Sequence, residues 1–223
     1  GYESILQVAR SFCPGGLGGW VSFVKGPLLA PLELTYGIKE RTDASGEISI
    51  PLDEAHLKEQ LTKLEQRDQV EALTISFVNS YINNANEVLA AKIAAEIFTD
   101  IPISISSEVI PEMQEYERAE TTVLNSYVRP QVSNYVNNLQ SNLEKSLGSD
   151  VQLSILRSDG GLASSRSTGD SPVNHLMSGP AGGVAGAIHF CNQAGFENIL
   201  TFDMGGTSTD VALIQNSKAK IRR

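Results

Sequence analysis

Hydrophobic positions change period several times along the chain, and each change predicts an element. Tyr2 to Arg10 puts Ile5, Leu6 and Ala9 at helical spacing. Pro14-Gly-Gly-Leu-Gly-Gly19 then interrupts regular structure and reads as a flexible surface loop, with Trp20 beside it as a packing residue. Leu32–Glu40 and Glu47–Ile50 alternate around Asp43-Ala-Ser-Gly46, which predicts a hairpin. Asp53 suits the N-cap of a helix whose buried stripe is Leu57, Leu61 and Leu64; such a cap contributes roughly 1 kcal/mol over Ala. His56, in the first turn, is expected to face solvent. Ala72–Val78 reads as a buried strand. Asn83–Phe98 reads as an Ala-rich helix with Val88, Ile93 and Ile97 inward, and Ile101–Ser106 as a second strand. Strand, helix, strand predicts a parallel pair joined by a right-handed crossover.

The second half is more polar. Thr121–Leu147 predicts one long helix, kinked or restarted at Pro130. Val132, Tyr135, Val136, Leu139, Leu143 and Leu147 form its apolar face, and Gly148 suits its C-cap. Val151–Leu156 is a strand leading into the turn Ser158-Asp-Gly-Gly161. Ser178-Gly-Pro-Ala-Gly-Gly-Val-Ala-Gly-Ala187 precedes a helix to about Asn192, closed by Gly195. Glycines at 179, 182, 183 and 186 would each cost about 1 kcal/mol inside a helix, so they point to close backbone packing or a ligand. A soft change of composition falls near residues 108–120, and the chain divides into 1–115 and 116–223.

Composition narrows the class. The chain of 223 residues carries a formal charge of −9, which argues against a nucleic-acid surface and against an anionic membrane surface. No run of Lys or Arg appears; Lys218, Lys220, Arg222 and Arg223 read as a solvated tail. Cys13 and Cys191 have no metal-ligand spacing and read as reduced thiols of a cytoplasmic protein, with a disulfide as the alternative. There is no apolar run of membrane-spanning length and no visible signal peptide. The chain begins at Gly1 rather than Met, which suggests a piece of a longer protein.

Chemistry is concentrated in Ile199-Leu-Thr-Phe-Asp-Met-Gly-Gly-Thr-Ser-Thr-Asp-Val-Ala-Leu-Ile214. Two apolar runs flank a glycine pair, three hydroxyl residues and two acids. Gly205 and Gly206 can adopt positive φ, which would sharpen the turn. Successive N–H groups in such a turn form an anion-binding nest, and Thr207, Ser208 and Thr209 add side-chain donors. Asp203 and Asp210 could hold a hydrated Mg²⁺, which takes one or two carboxylates plus phosphate oxygens. A Gly-Gly hairpin also arises for turn reasons alone; acids at both ends and three consecutive hydroxyls favour phosphate. No Gly-Lys-Ser or Gly-Lys-Thr is present, so this is not a P-loop. Upstream, Glu112, Glu115, Tyr116, Glu117 and Arg118 form a dense polar cluster. On a helix Glu115 and Glu117 would diverge, and a solvated helix start accounts for them as well.

Five blocks in this order resemble the hydantoinase A / 5-oxoprolinase family. They are Ser107-Glu-Val-Ile-Pro-Glu-Met-Gln-Glu-Tyr-Glu-Arg118, Thr121-Thr-Val-Leu-Asn-Ser-Tyr-Val-Arg-Pro130, Ser158–Gly161, Ser178-Gly-Pro-Ala-Gly-Gly183 and Thr201–Asp210. Their order and spacing match, and the resemblance covers nearly the whole chain. The resemblance implies an α/β actin-like ATPase fold, ribonuclease-H-like, here incomplete with parts of two lobes. It implies that ATP and Mg²⁺ serve the opening of a cyclic amide or imide, such as a hydantoin or 5-oxoproline, through phosphorylation of the carbonyl oxygen. It makes Asp203 and Asp210 catalytic, with Asp203 on the metal through water, and Gly205, Gly206, Thr207, Ser208 and Thr209 the phosphate loop. It puts Glu115, Tyr116, Glu117, Arg118, Ser158, Gly160, Gly161, Ser178, Gly179, Gly182 and Gly183 near the cleft, with Ser178–Gly186 a packing and hinge region. Asp159 departs from the family's usual Asn and places an added carboxylate there.

The family also implies an earlier Asp-x-Gly-Gly-Thr loop and an adenosine-binding segment, neither of which occurs here. The chain would then be the middle of a longer protein and inactive alone. A hydantoinase B-type partner subunit or fused domain is implied too. An acetone-carboxylase-like carboxylase subunit and a non-catalytic truncated piece remain alternatives.

Overall fold

A computed structural model of the chain describes residues 2–10, 18, 19, 26, 28–67 and 70–219. Cys13, Trp20, most of the Pro14–Gly19 loop and Lys220, Arg222 and Arg223 lie outside the described residues. The architecture is mixed α/β, in two compact units, Gly1–Gln131 and Val132–Arg223.

In the first unit, α1 is a single turn, Ile5–Val8. The hairpin pairs β1 (Arg41–Thr42) with β2 (Ile48–Ile50). The strand expected from Leu32 is absent; Leu32–Leu34 form one 3-10 turn after Pro31, and β2 is too short to pair further upstream. The intervening turn is built on Asp43, whose Oδ1 accepts from the amides of Ser45 and Glu47, with Gly46 at φ 88°.

Helix α2 (Glu54–Glu65) begins as expected: the Asp53 carboxylate accepts from the His56 amide at 3.0 Å, and Leu57, Leu61 and Leu64 are buried. The His56 ring is half-buried against Gln60 rather than solvent-facing. Strands β3 (Leu73–Ile75) and β4 (Ile103–Ile105) pair in parallel, linked by α3 (Ala85–Ile97). The core joins Leu52, Leu57, Leu61, Ile75, Ala90, Ile93, Ala94 and Ile105. Val88 is not part of it: it is 46% exposed, while Glu87 is fully buried. A carboxylate displaces the apolar side chain here because three hydrogen-bond donors await it at the strand ends.

A short α4 (Ser106–Val109) follows β4 directly. The long helix α5 runs Glu115–Leu147, starting six residues before the expected Thr121 and passing through Pro130 without ending. The division between the two units falls inside it.

In the second unit Val136 of α5 is buried, whereas Tyr135 and Leu147 are exposed, a correction to the expected apolar face. Gly148 takes φ 105° and its amide caps Glu144, as its C-cap position requires. Strands β5 (Ser154–Leu156) and β6 (Leu162–Ser164) form a hairpin, followed by α6 (Ser165–Asp170) and a 3-10 turn at Pro172–His175. Helix α7 spans Ser178–Gln193, so the glycine-rich segment is helix, not a connection ahead of one. Gly195, at φ 82°, closes it. Strands β7 (Ile199–Met204), β8 (Thr209–Gln215) and β9 (Lys218–Ala219) form an antiparallel sheet.

Candidate functional site

The hairpin of β7 and β8 has a register that pairs Asp203 with Asp210 and Met204 with Thr209, leaving Gly205–Ser208 as its loop. Directly paired residues point to one face, so both carboxylates share a face with Thr201, whose hydroxyl is bonded to Ala212. Two like charges directly opposite one another oppose pairing unless a cation or donors offset them.

The loop closes through the Gly205 amide, which donates to the Ser208 carbonyl at 2.9 Å. Neither Gly205 nor Gly206 lies in the left-handed region, so their conformational freedom is not what the turn uses, contrary to expectation. A Cβ on Gly206 would meet nothing within 4 Å. Among the described residues the amides of Gly206, Thr207 and Ser208 donate to no protein acceptor, and the hydroxyls of Thr207, Ser208 and Thr209 are exposed and unpaired. The N–H of Gly205, expected to face an anion, is already spent on closing the loop.

Helix α7 approaches the acidic face at Asp203, which stays exposed. A Cβ on Gly183 would lie 3.5 Å from Asp203 Oδ2, and one on Gly182 would collide with Leu156 Cδ2 at 2.8 Å. Gly182 therefore serves close packing against the β5–β6 hairpin, whereas a methyl at Gly183 would make only ordinary contact with Asp203. Gly179 and Gly186 face open space.

The Ser158–Gly161 turn is fastened to the start of α7. Ser158 Oγ accepts from the Met177 amide at 2.9 Å, the Ser158 amide donates to Asn174, and the His175 ring Nδ1 lies 2.9 Å from the Leu156 carbonyl oxygen. Gly160 takes φ 84°. Asp159 belongs to the turn itself: its Oδ1 accepts from the Gly161 amide and its Oδ2 pairs with Arg157 at 2.9 Å. That amide first, then Arg157, hold its carboxyl below the usual range. The extra carboxylate is thus compensated locally.

In the first unit the Glu115–Arg118 cluster divides. Arg118 is fully buried and donates to the carbonyls of Phe77 and Glu112 and to Ser106 Oγ; it also pairs with Glu115 and sits 5.3 Å from the Tyr81 ring centroid. Glu115 also accepts from the Asn79 amide at 3.2 Å. Glu117 turns away to Arg10 at 2.6 Å, which lowers its pKa. Tyr116 donates to Glu120 at 2.8 Å, which raises its own. Glu115 and Glu117 diverge as helical spacing requires.

Glu87 is the residue that periodicity missed. It accepts from the Phe77 amide at 2.7 Å, Ser106 Oγ at 2.6 Å and the Ser107 amide at 2.9 Å. Glu87 and Arg118, sharing Ser106, tie together the C-terminal ends of β3 and β4. The only trace in sequence is an acid among alanines on the helix's inner side.

The hairpin's donors fit a phosphate: three open amides and three hydroxyls, with two same-face acids beside them that could serve a cation. No group of three or more His, Cys, Asp or Glu among the described residues is arranged to hold a metal directly. A Mg²⁺ would therefore need phosphate and water to complete its coordination, its usual habit. No helix among the described residues is long and apolar enough to cross a membrane.

Comparison with known proteins agrees with this arrangement. Two family profiles match: "Hydantoinase/oxoprolinase N-terminal region" over residues 22–98 and "Hydantoinase/oxoprolinase" over 118–223. The caprolactamase subunit alpha of Pseudomonas jessenii is 29% identical over 100% of this chain and 32% of its own length. A crystal structure of the ATP-dependent caprolactamase from that organism superposes with a TM-score of 0.81, at 31% identity, over 96% of this chain and 30% of that one. The nucleotide-free structure of acetone carboxylase gives 0.83 at 30% identity, over 98% and 32%. The 5-oxoprolinase of Saccharomyces cerevisiae is 36% identical over 64% of this chain and 11% of its own. The chain thus spans about a third or less of the proteins it resembles. It belongs to the hydantoinase/oxoprolinase family.

Proposed function

We propose that this chain is the phosphate-binding part of a longer ATP-dependent enzyme that opens the C–N bond of a cyclic amide or imide. The observation that carries this is the 203–210 hairpin, whose open amides and hydroxyls sit beside two acids on one face. The relatives named above support the ATP requirement and the amide chemistry. ATP would supply the phosphoryl group that makes an unreactive amide carbonyl a better electrophile for water. Gly206, Thr207 and Ser208 would donate N–H groups to phosphate oxygens, and the hydroxyls of Thr207, Ser208 and Thr209 would add to them. Asp203 and Asp210 would hold the hydrated Mg²⁺ that neutralises phosphate charge. The protein's contribution is positioning and electrostatics, as in phosphoryl transfer generally.

In this proposal the fold is completed as an actin-like ATPase by segments outside the chain, with the functional division at 115/116. The 223 residues alone are catalytically inactive, the working protein is cytoplasmic, and a hydantoinase B-type subunit or fused domain completes it. A second reading is favoured by the TM-score of 0.83 to acetone carboxylase: the same hairpin would serve an ATP-dependent carboxylation with a partner subunit. The longer protein, assayed on lactams, 5-oxoproline and hydantoins with and without bicarbonate, separates the two. Ring opening without bicarbonate supports the first; product only with bicarbonate supports the second. ATP cleavage in neither condition refutes both. In either branch Asp203→Asn is expected to lower turnover about 100-fold or more, since a metal's charge stabilisation is worth several kcal/mol.

A further inference from the structure

The proline inside α5 stands where the helix passes from one unit to the other. Pro130 has no N–H, so the ladder bond to the Ser126 carbonyl cannot form, and its ring crowds that carbonyl. Proline also disfavours helical backbone at the residue before it, here Arg129. The helix nonetheless runs through both positions. Upstream it is fastened to the first unit. The Asn125 side-chain amide donates to Ser104 Oγ at 3.2 Å, the Thr74 hydroxyl donates to that of Ser126 at 2.6 Å, and Arg129 donates to the Ile103 carbonyl at 2.6 Å. Immediately downstream it is fastened to the second unit. Ser133 Oγ donates to the Gly169 carbonyl at 2.7 Å, and a Cβ on Gly169 would lie 3.5 Å from that Oγ. Val136, in the next turn, is buried. From Arg129 to Ser133 is only about 6 Å of helix.

A helix of 33 residues is a stiff rod wherever its ladder is complete. Sharp bends in helices arise at identifiable defects, proline foremost. In α5 the interior position that must lack a ladder bond coincides with the boundary between the units at Gln131 and Val132. We propose that Pro130 is a hinge, at which the two units reorient as rigid bodies. Hinges are a few positions that absorb the change in backbone angle while the packed bodies move unaltered. The anchors at Arg129 and Ser133 confine the bend to the interval between them, because each is bonded within its own unit. Tyr127, Gln131 and Tyr135 leave one side of the helix at this interval exposed among the described residues, so bending there displaces no packed side chain. The hinge is independent of what the 203–210 hairpin binds.

Spin-label distances in the 223-residue chain test it. With Cys13 and Cys191 replaced by Ser, labels at Lys58→Cys in α2 and Ala185→Cys in α7, both exposed, report across the two units. Labels at Lys58→Cys and Glu96→Cys in α3 report within the first unit. The pair across the units should give a broad distance distribution. Pro130→Ala restores the ladder bond and should narrow that distribution by about half, while the pair within the first unit stays narrow in both proteins. The same breadth across the units with and without Pro130 would overturn the proposal. Amide exchange of the unaltered chain gives a reading that does not depend on the variant. The amides of Gln131, Val132 and Ser133, whose ladder bonds span the proline, should exchange about 10-fold or more faster than those of Asn125 and Val136. Uniform protection along these positions would also overturn it.

Discussion

Three donors decide the orientation of Glu87, and with it the register of α3. The Phe77 and Ser107 amides and the Ser106 hydroxyl are fixed at the ends of two parallel strands, and Arg118 shares that hydroxyl. Removing one partner of a buried charge network strands the other, at about 3–5 kcal/mol. Glu87→Ala is expected to destabilise by that order in urea unfolding, whereas Val88→Ala, at an exposed site, should cost about 1 kcal/mol or less. Comparable losses would contradict this placement. Periodicity favours Val88 because it counts apolarity and cannot see donors contributed by distant strands. Glu40 gives a pH-dependent counterpart. Burial pushes its carboxyl up, with Glu87 and Glu115 adding to this against the Asn86 hydrogen bond and Arg41. A raised folded pKa means its contribution is present below the ordinary Glu range and is lost as pH rises through the folded value. Glu40→Gln should flatten that part of the stability–pH curve; an unchanged slope would contradict the assignment.

At the scale of elements, legibility followed locality. The Asp53 cap, the Leu57–Leu61–Leu64 stripe, the Gly148 and Gly195 caps and the β7–β8 hairpin all rest on neighbours in sequence, and all are present. The glycine-rich helix was less legible, because intrinsic propensity argues against four glycines in α7 and tertiary packing overrides it. Its glycines are not equivalent. Gly186 has open space where a Cβ would sit, so Gly186→Ala should stabilise by about 0.5–1 kcal/mol through propensity alone. Gly182→Ala must displace Leu156, so its gain should be smaller or negative. Thermal unfolding of both variants decides this, and an equal gain would remove the packing role given to Gly182. The phosphate loop was legible as a motif but not in detail. Its glycines are not used for left-handed backbone, and which amides remain open depends on the closing bond to Ser208.

Over the whole molecule, the second unit leaves one face of its sheet apolar and bare. Leu200, Phe202, Met204, Val211 and Leu213 alternate with the acidic face and are 46–67% exposed. Contiguous exposed apolar surface of this kind promotes association. The isolated chain is therefore expected to self-associate with rising concentration, and Phe202→Lys to reduce this in light scattering without loss of helical circular dichroism. Monodisperse behaviour of the unaltered chain would contradict it. The order of the motif blocks made the family legible, and the matched residues 22–98 and 118–223 bear it out. The burial of Arg118 was not legible, because its acceptors come from the segment after β3, the first residue of α4 and the turn before α5. The measurement that bears most directly on the central claim is an NMR titration of the 223-residue chain with Mg-ATP, following backbone amides. The amide resonances of Gly206, Thr207 and Ser208 should shift at millimolar nucleotide and cease to do so in Asp203→Asn. A folded chain in which these amides stay unmoved, or move equally in the variant, would contradict the assignment of this hairpin to phosphate.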